Sequence, residues 1–436
     1  MSITETLTVH RRRLVIVVRA DPVICGHSGE ARNLAEAALQ RGFTEVRIVT
    51  WPLELLARSG LPLKPLDGVM PYSEGIEVER PEGVGDYKVP DGRYLSGMTG
   101  RLVELFTDGV PTVCMSLYLS PHTIAVSDAL RVARSTGLPV PVLTIAEAVG
   151  SDVTNVVRSC VADGNFGAAA QVLSAYLDAD VPVAVSEYTK HLIISSADEI
   201  DARHHTTFAE RCRQRVGISY PAINTADYLD LDAEVTRSHL ERRGLEQDGY
   251  VLYLSRLAHA KGVDDLIHGF AASEGCRDLR LAIVGDGPQA AELHQMAAAS
   301  DAADRIVFFD DVDDDEKPYL MAGCAAFVLP SKPRPEFVET FGIALVEKML
   351  AGGGPVITTD TGGIGEAVGD TAMIVPVNSP SSITAALDLA VMMPCHERAD
   401  MAGRARKHAL QFDRMRVFDL LLARVTGVDE RELTAI

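Results

Sequence analysis

The sequence predicts an α/β protein made of two doubly wound parallel sheets. Short apolar, strand-like runs alternate with segments of helical periodicity, and this alternation is typical of parallel sheets covered by helices. The alternation stops at a polar, charged segment over 230–248 and resumes at Tyr250. At 436 residues the chain is long enough for more than one domain, since a domain holds about 100–200 residues. We therefore expect two Rossmann-like halves whose ligands bind at the carboxyl ends of the strands.

The elements of the first half follow one another in a regular order. Leu14 begins a continuous apolar run that predicts a buried strand, and a helical pattern comes after it. The predicted elements are a strand at 14–18, a helix at 29–41, and strands at 46–49, 110–115 and 140–145. Residues 60–100 are rich in proline and glycine, which indicates a long loop or hairpin.

The composition excludes several kinds of partner and site. Lys and Arg total 41 and Asp and Glu total 61, so the net charge is 41 − 61 = −20, which opposes binding to nucleic acid or anionic membranes. The seven cysteines are scattered without a Cys-x-x-Cys pair, which argues against a zinc site and a disulfide framework. No apolar run is long enough to cross a bilayer, and Arg19 and Asp21 interrupt the first run too early for a secretory signal. We expect a cytoplasmic protein without membrane insertion.

Two glutamates, Glu339 and Glu347, lie at a predicted loop-to-helix junction with seven residues between them. If a helix begins near Phe341, they differ by at most ~12 Å along its axis and by roughly 80° in direction, so they cannot bind one atom together. They could hold opposite ends of an elongated ligand, with free N–H groups of the helix start facing a negative group between them. A sugar nucleotide has this layout. The alternative is an amphipathic helix with two solvated glutamates.

Two cations flank a predicted strand-to-helix turn. An apolar run at 251–257 predicts the strand and the apolar spacing of 261–270 predicts the helix, so Arg256 and Lys261 lie on either side of the turn. A forked guanidinium and an ammonium at a helix start would neutralise a diphosphate without a metal. Either cation alone could be an ordinary surface charge, but beside the spaced glutamates the pair favours a ligand site.

In this order the residues resemble the retaining glycosyltransferases of family 4, also called glycosyl transferases group 1. The resemblance covers residues 250–415. It rests on an ordered set of motifs: Ser255-Arg256-Leu257, Lys261-Gly262, 284–288, 305–309, 327–331, the two glutamates, 354–357 and 362–366. One departure is Gly365, where the family usually shows proline.

The resemblance implies a GT-B fold, in which two Rossmann-like domains with parallel sheets face a central cleft. Domain 1–225 would lie on the acceptor side, and domain 226–409 would bind the nucleotide sugar. The terminal helix over 410–436 would cross back to the first domain, and the junction between the domains would fall at 222–232. The implied reaction is a front-face displacement with retention, in which the leaving diphosphate helps to take the acceptor proton.

The resemblance also assigns catalytic and donor-binding roles to residues, all but one of which lie in the second half. Arg256 and Lys261 would stabilise the leaving diphosphate, and Glu339 would hold hydroxyls of the donor sugar, so these three are the predicted catalytic residues. The predicted donor-binding residues are Gly29, Ser331, Gly342, Ile343 and Glu347, the last of them on the ribose. Gly29 belongs to a Gly26-x-Ser28-Gly29 stretch that is similar to the glycine loop with which some members approach the donor phosphate.

The predicted acceptor-side residues all lie in the first half. They are His27, Tyr72, Tyr87 and Glu147, and Glu147 stands where relatives often carry a histidine beside the donor sugar. Each has an alternative: His27 as a solvent-exposed loop residue, Glu147 as an ordinary cleft-rim carboxylate, and the two tyrosines as packing for their loop. The 60–100 segment would shape the acceptor pocket in the functional interpretation.

The predicted partners are a nucleotide-diphosphate sugar and a small soluble acceptor, with no metal and no cofactor, and homodimerisation stays open. The resemblance favours a role in antibiotic biosynthesis, of the aminocyclitol or lincosamide type, with a thiol acceptor as one variant. The alternatives are a sucrose-phosphate or mycothiol type of transferase, a nucleotide-sugar epimerase of the same architecture, and a non-catalytic sensor of sugar nucleotides.

Overall fold

A computed structural model describes residues 12–85, 89–335 and 337–427. The chain divides into two compact units. Unit 1 contains the residues up to Ile223 together with those from Arg414 onward, and unit 2 runs from Asn224 to Asp413. Both breaks lie close to the predicted boundaries at 225/226 and 409/410.

Each unit is built on one sheet in which all the strand pairs are parallel. The strands of unit 1 are β1 (Arg13–Val17), β2 (Glu45–Val49), β3 (Ile76–Glu79), β4 (Thr112–Leu117), β5 (Val142–Ala148), β6 (Val181–Ala184) and β7 (Gly217–Ile218). Those of unit 2 are β8 (Tyr250–Leu254), β9 (Arg280–Val284), β10 (Ile306–Phe309), β11 (Ala326–Leu329), β12 (Val356–Thr358) and β13 (Met373–Ile374).

Helices connect the strands throughout the described part of the chain. In unit 1 they are α1 (Gly26–Gln40), α2 (Leu53–Arg58), α3 (Pro90–Thr107), α4 (Ile124–Ser135), α5 (Ser159–Ala162), α6 (Phe166–Asp178), α7 (Glu187–His204) and α8 (Phe208–Arg215). In unit 2 they are α9 (Ala233–Arg242), α10 (Val263–Ala272), α11 (Ala290–Ala298), α12 (Lys317–Gly323), α13 (Ile343–Ala351), α14 (Ile364–Val368), α15 (Pro380–Met392) and α16 (Cys395–Ala409). The chain then returns to unit 1 with α17 (Arg414–Thr426).

The continuous apolar pattern of β1 is explained by burial on both of its faces. Leu14 and Ile16 join a core cluster with Phe418 of α17, whereas Val15 and Val17 join a second cluster on the other face of the sheet. Strands covered by helices on both sides carry apolar residues at successive positions instead of alternating ones. The alternation of strands and helices in the sequence therefore predicts this architecture correctly.

The strand order places a switch point in each sheet. Unit 1 has the order β3-β2-β1-β4-β5-β6-β7, and unit 2 has the order β10-β9-β8-β11-β12-β13. In unit 1 the strands that follow β1 are added on one side of it, and from β4 onward they are added on the other side. The same reversal occurs in unit 2 between β8 and β11. The connections that leave β1 and β4, and those that leave β8 and β11, therefore diverge and leave a crevice at the carboxyl ends of these strands. Ligands of such sheets bind at this position.

The prediction of a long loop or hairpin over 60–100 is wrong, since β3 pairs with β2 in parallel. The segment contains β3 and a short 3-10 turn at Leu66–Gly68, and α3 already begins at Pro90. Proline is well suited to the first turn of a helix because its missing N–H has no intrahelical partner there, so Pro90 marks a helix start instead of a loop. None of the helices described here has both the length and the apolar character needed to cross a membrane.

Candidate active site

The connection between β8 and α10 carries both predicted cations at the switch point of unit 2. The Leu257 N–H donates to Asp286 O at 2.9 Å, which fixes the connection against the loop that follows β9. Gly262 has a φ of +71°, and a Cβ on it would lie 2.1 Å from Pro330 O at the end of β11. Only glycine tolerates this conformation and this close approach, and the connection is therefore held at the carboxyl ends of β8 and β11.

Lys261 and Glu339, two of the predicted catalytic residues, form an ion pair. Both side chains are buried, and the Glu339 backbone is fixed because Gly363 N–H donates to its carbonyl oxygen at 3.0 Å. A Cβ on Gly362 would lie 1.9 Å from the same oxygen, so the loop after β12 packs tightly against this glutamate. The sequence placed these two residues in one site, and the structure brings them into contact.

Arg256 is exposed, unlike Lys261, and takes part in no ion pair among the described residues. Its guanidinium lies over the ring of Phe337, with 5.7 Å between Cζ and the ring centre, and Lys261 Nζ lies 5.1 Å from the same centre. Among the described residues, therefore, no carboxylate lies within ion-pair distance of Arg256. A guanidinium in this state is available to a phosphate group.

The start of α13 and the end of β11 contribute the remaining donor-side residues. Helix α13 begins at Ile343, two positions after the predicted Phe341, because Gly342 adopts a φ of +100° before the first turn. Ser331, at the end of β11, is buried, and its hydroxyl has no hydrogen-bond partner in the described part of the chain. A buried hydroxyl without a partner costs free energy, so this one is suited to a ligand.

Glu347, the predicted ribose ligand, is paired with a lysine that the sequence analysis missed. Lys317 Nζ donates to Glu347 Oε1 at 2.8 Å. Burial opposes the charge of Lys317, but Glu347 and Asp314 more than offset this, and the pKa of Lys317 is raised. Burial and Glu347 also raise the pKa of Tyr228 well above its usual range. Each predicted glutamate thus has a lysine partner, although Lys317 lies 30 residues away in the sequence and no local pattern marks it.

We expect the Lys317→Met substitution to raise KM for the donor about 10-fold and to change kcat little. A charge-assisted hydrogen bond contributes about 1.5–3 kcal/mol, and without it Glu347 would lose its fixed orientation before the ribose binds. Steady-state kinetics with varied donor concentration measures the effect. Lys317→Arg should recover part of it, and Lys407→Met, at an exposed position, is the control. An unchanged KM in Lys317→Met would contradict the ribose role of Glu347.

In unit 1 His27 and Gly29 follow the carboxyl end of β1 and Glu147 lies near the carboxyl end of β5, but the segment around Gly29 does not have the predicted conformation. Gly26 to Gly29 do not form a glycine loop: α1 begins at Gly26, and Gly29 is an exposed residue of its first turn. The extended backbone of Cys25 ends the preceding turn, so the helix starts three residues before the predicted position 29. Within this first turn the Ser28 and Gly29 N–H groups donate to Cys25 O at 3.2 and 3.4 Å.

Glu147 is a fully buried residue of β5, not a rim residue. Its carboxyl oxygens accept from no N–H or hydroxyl donor among the described residues; their partner is the carboxyl group of Glu30, and burial together with Glu30 raises the pKa of Glu147 well above the usual range. Burial raises the pKa of Glu30 to about 7, although His27 opposes this shift. Asp152 is equally buried but accepts from the N–H groups of Leu119 at 2.8 Å and of Gly150 at 2.9 Å.

His27 therefore has two carboxyl groups as electrostatic neighbours, that of Glu30 on its own helix and that of Asp152 after β5. Its ring also meets Tyr118 edge to face at 6.1 Å. The sequence analysis named His27 and Glu147 but missed Glu30 and Asp152. The i, i+3 spacing of His27 and Glu30 is the one signal that could have connected them, since such residues share a face of a helix.

Of the two predicted acceptor-side tyrosines, the structure describes Tyr72 only. Arg32 Cζ lies 3.7 Å from the centre of the Tyr72 ring, and Arg32 also pairs with Asp21 at 3.2 Å. These contacts attach the 60–80 segment to α1 and to the turn after β1. Tyr87 lies outside the described residues. In the described ranges no group of three or more His, Cys, Asp or Glu side chains has the arrangement of a metal site.

Comparison with known proteins gives a family for part of the chain. Residues 237–408 match the family described as Glycosyl transferases group 1. The GDP-mannose-dependent alpha-(1-6)-phosphatidylinositol monomannoside mannosyltransferase of Mycolicibacterium smegmatis is 30% identical over 53% of this chain and 57% of its own length. The 2-deoxystreptamine glucosyltransferase of Streptomyces kanamyceticus is 29% identical over 43% of this chain and 51% of its own length.

The fold is shared over a longer range than the sequence similarity. Anabaena HepE, solved in complex with UDP and glucose, superimposes with a TM-score of 0.68 over 95% of this chain and all of its own length, at 17% identity. This chain thus has a GT-B fold with two parallel-sheet units. The matched segments span about half the length of the two curated relatives described above.

Proposed function

We propose that this protein transfers a sugar from a nucleotide-diphosphate sugar to a small soluble acceptor, because residues 237–408 match the family described as Glycosyl transferases group 1. The observation that carries the proposal is the meeting of Arg256, the Lys261–Glu339 pair and the start of α13 in unit 2. These groups supply positive charge and an acidic side chain to one ligand. The six-stranded sheet places Arg256 and Lys261 at its switch point, where nucleotides bind in such folds.

The proposed reaction breaks the bond between the sugar C1 and the diphosphate oxygen and forms a bond between C1 and the acceptor. Both events occur on the same face of the sugar, so the configuration is retained, and the acceptor proton goes to the leaving diphosphate. Negative charge grows on the diphosphate as the bond breaks. Arg256, Lys261 and the free N–H groups at Gly342 and Ile343 stabilise that charge, and electrostatic stabilisation of this kind is usually the largest catalytic contribution.

In the same proposal Glu339 binds hydroxyls of the donor sugar and Glu347 binds the ribose. The Lys261–Glu339 pair favours this role because the lysine holds the carboxylate in a fixed orientation. Ser331 adds a hydroxyl that has no other partner in the described chain. The positive charge comes from side chains and a helix start, so we propose that the reaction needs no metal.

We propose an acceptor of the aminocyclitol type, since one relative is named for 2-deoxystreptamine. The relative named for a phosphatidylinositol mannoside makes a lipid-linked acceptor the competing possibility. The acidic net charge of −20 supports the first possibility, because it favours a cationic acceptor over an anionic membrane surface. An epimerase of the same architecture would differ by consuming the donor when no acceptor is present.

A thermal-shift series with UDP, GDP, ADP and TDP tests nucleotide binding. One of the four should raise Tm by about 5 °C at a concentration near 100 Kd, since binding at that level stabilises the folded state by about 2.7 kcal/mol. The corresponding monophosphate should raise Tm less, because the two cations then face one phosphate group instead of two. The shift should be the same with and without EDTA. Absence of a shift with all four diphosphates would overturn the proposal.

A further inference from the structure

A tight turn after β11 places the ring of Phe337 beside both cations of the proposed diphosphate site. Arg334 and Phe337 form an antiparallel bridge, with Arg334 N–H donating to Phe337 O at 2.9 Å and Phe337 N–H donating to Arg334 O at 3.2 Å. The ring is half-buried and has Arg256 at 5.7 Å and Lys261 at 5.1 Å. One aromatic ring therefore lies within 6 Å of two cations on another connection of the sheet.

Contacts on both sides of the turn fix the position of this ring. Before the turn, Lys332 is buried and pairs with Asp264 at 2.8 Å and Asp265 at 2.9 Å, both in the first turn of α10. The Lys332 N–H also donates to Ala260 O at 2.8 Å, next to Lys261. After the turn, the Glu339 backbone accepts from Gly363 N–H. The turn is thus attached to the segment that carries Lys261 and to the loop after β12.

The two cations differ in how their charge is balanced. Lys261 has Glu339 as an ionic partner, but Arg256 takes part in no ion pair among the described residues and lies over Phe337. A carboxylate in this place would occupy the N–H donors of the guanidinium and offset its charge. An aromatic face holds a cation through its quadrupole and leaves both the in-plane donors and the net charge available. This arrangement suits a group that must meet an incoming polyanion.

We propose that Phe337 is a positioning residue that holds Arg256 and Lys261 in place for the leaving diphosphate. The inference rests on the proposed function and deepens it. Pre-oriented charges stabilise a transition state more than flexible ones do, because no reorganisation is needed as the negative charge develops. The ring itself does not need to touch the substrate. The charge on the diphosphate is greatest in the transition state. Replacing the ring should therefore lower kcat more than it changes KM.

The test compares Phe337→Leu with Phe337→Tyr and with ring-fluorinated phenylalanines at position 337. Leucine keeps apolar bulk and loses the ring, and we expect kcat to fall about 10-fold, since a cation–π contact contributes about 0.5–2 kcal/mol. Tyrosine should restore most of the rate. Fluorination withdraws electron density from the ring at nearly constant shape, so kcat should fall step by step from one to three fluorines, whereas a packing role predicts no trend.

Phe309→Leu is the matched control. Arg243 Cζ lies 5.3 Å from the Phe309 ring, so the same kind of contact is removed in the same unit from an arginine that already pairs with Asp311 and Glu316. This variant should keep the wild-type kcat. Equal rates in Phe337→Leu and the wild type, or no trend with fluorination, would overturn the inference. If the wild-type protein neither binds a nucleoside diphosphate nor transfers a sugar, the proposed function has failed instead, and the two failures remain distinct.

Discussion

Replacing Arg256 by methionine is expected to lower kcat by at least ~10²-fold, the loss typical of removing one donor that stabilises developing negative charge. Arg256 suits this experiment because it is exposed and takes part in no ion pair among the described residues. Its removal leaves no buried partner without a counter-charge, so the fold should not suffer. Tm should stay within about 1 °C of wild type, since surface substitutions away from special contacts change stability by about 0.5 kcal/mol or less. Single-turnover kinetics with saturating donor measures the step directly.

Lys261 needs a different design because its partner is buried. Lys261→Met alone leaves Glu339 as an unpaired buried carboxylate, and breaking a buried pair in this way costs about 3–5 kcal/mol. The double variant Lys261→Met with Glu339→Gln removes both charges and should restore most of the lost stability while kcat stays low. Arg277→Met, at an exposed position, is the control for loss of positive charge. Near-normal kcat in Arg256→Met and in the double variant would reject the electrostatic assignment.

In unit 2 the position of a candidate residue in the fold could be predicted where the signal is local in the sequence. Arg256 and Lys261 lie five positions apart on one connection, and the strand before them and the helix after them are both apolar, so their place at the sheet edge follows from pattern alone. Lys317 and Phe337 were missed for the opposite reason. Lys317 reaches Glu347 across 30 residues, and Phe337 acquires its position from a turn that only tertiary contacts fix.

The errors in unit 1 have a related origin. Glycine and proline mark breaks in regular structure, but both residues also begin helices, and the sequence does not tell which use applies. Gly26 and Pro90 were therefore interpreted as loop residues although each begins a helix. The burial of Glu147 could not be predicted either. A carboxylate near the end of a predicted strand suggests an exposed position. Only the folded structure shows that Glu30 of α1 lies beside Glu147.

The second large effect should appear in stability, when Glu147 is replaced by glutamine. Burial raises the pKa of Glu30 to about 7 and the pKa of Glu147 well above its usual range, and the two carboxyl groups oppose each other's ionisation. The folded state therefore holds protons that the unfolded chain releases near pH 4.5. Stability contributed by the protonated pair is complete below that pH and is lost as the pH rises towards 7 and beyond. Wild-type Tm should fall over this range.

Glu147→Gln removes one ionisation and gives the neighbouring Glu30 an amide donor of the same shape. We expect unit 1 to gain about 1–3 kcal/mol at pH 8, the usual cost of a buried polar group without a partner, and to gain almost nothing at pH 4. Thermal unfolding at several pH values measures the difference, and Glu199→Gln, at a side chain that is 58% exposed, should show no such pH dependence. A gain that is equal at pH 4 and pH 8 would contradict the interpretation that the folded state favours the protonated form of the two carboxyl groups. If stability rises while transfer to an acceptor falls, the buried pair is retained for function, since groups that cost stability concentrate at sites where their chemistry is used.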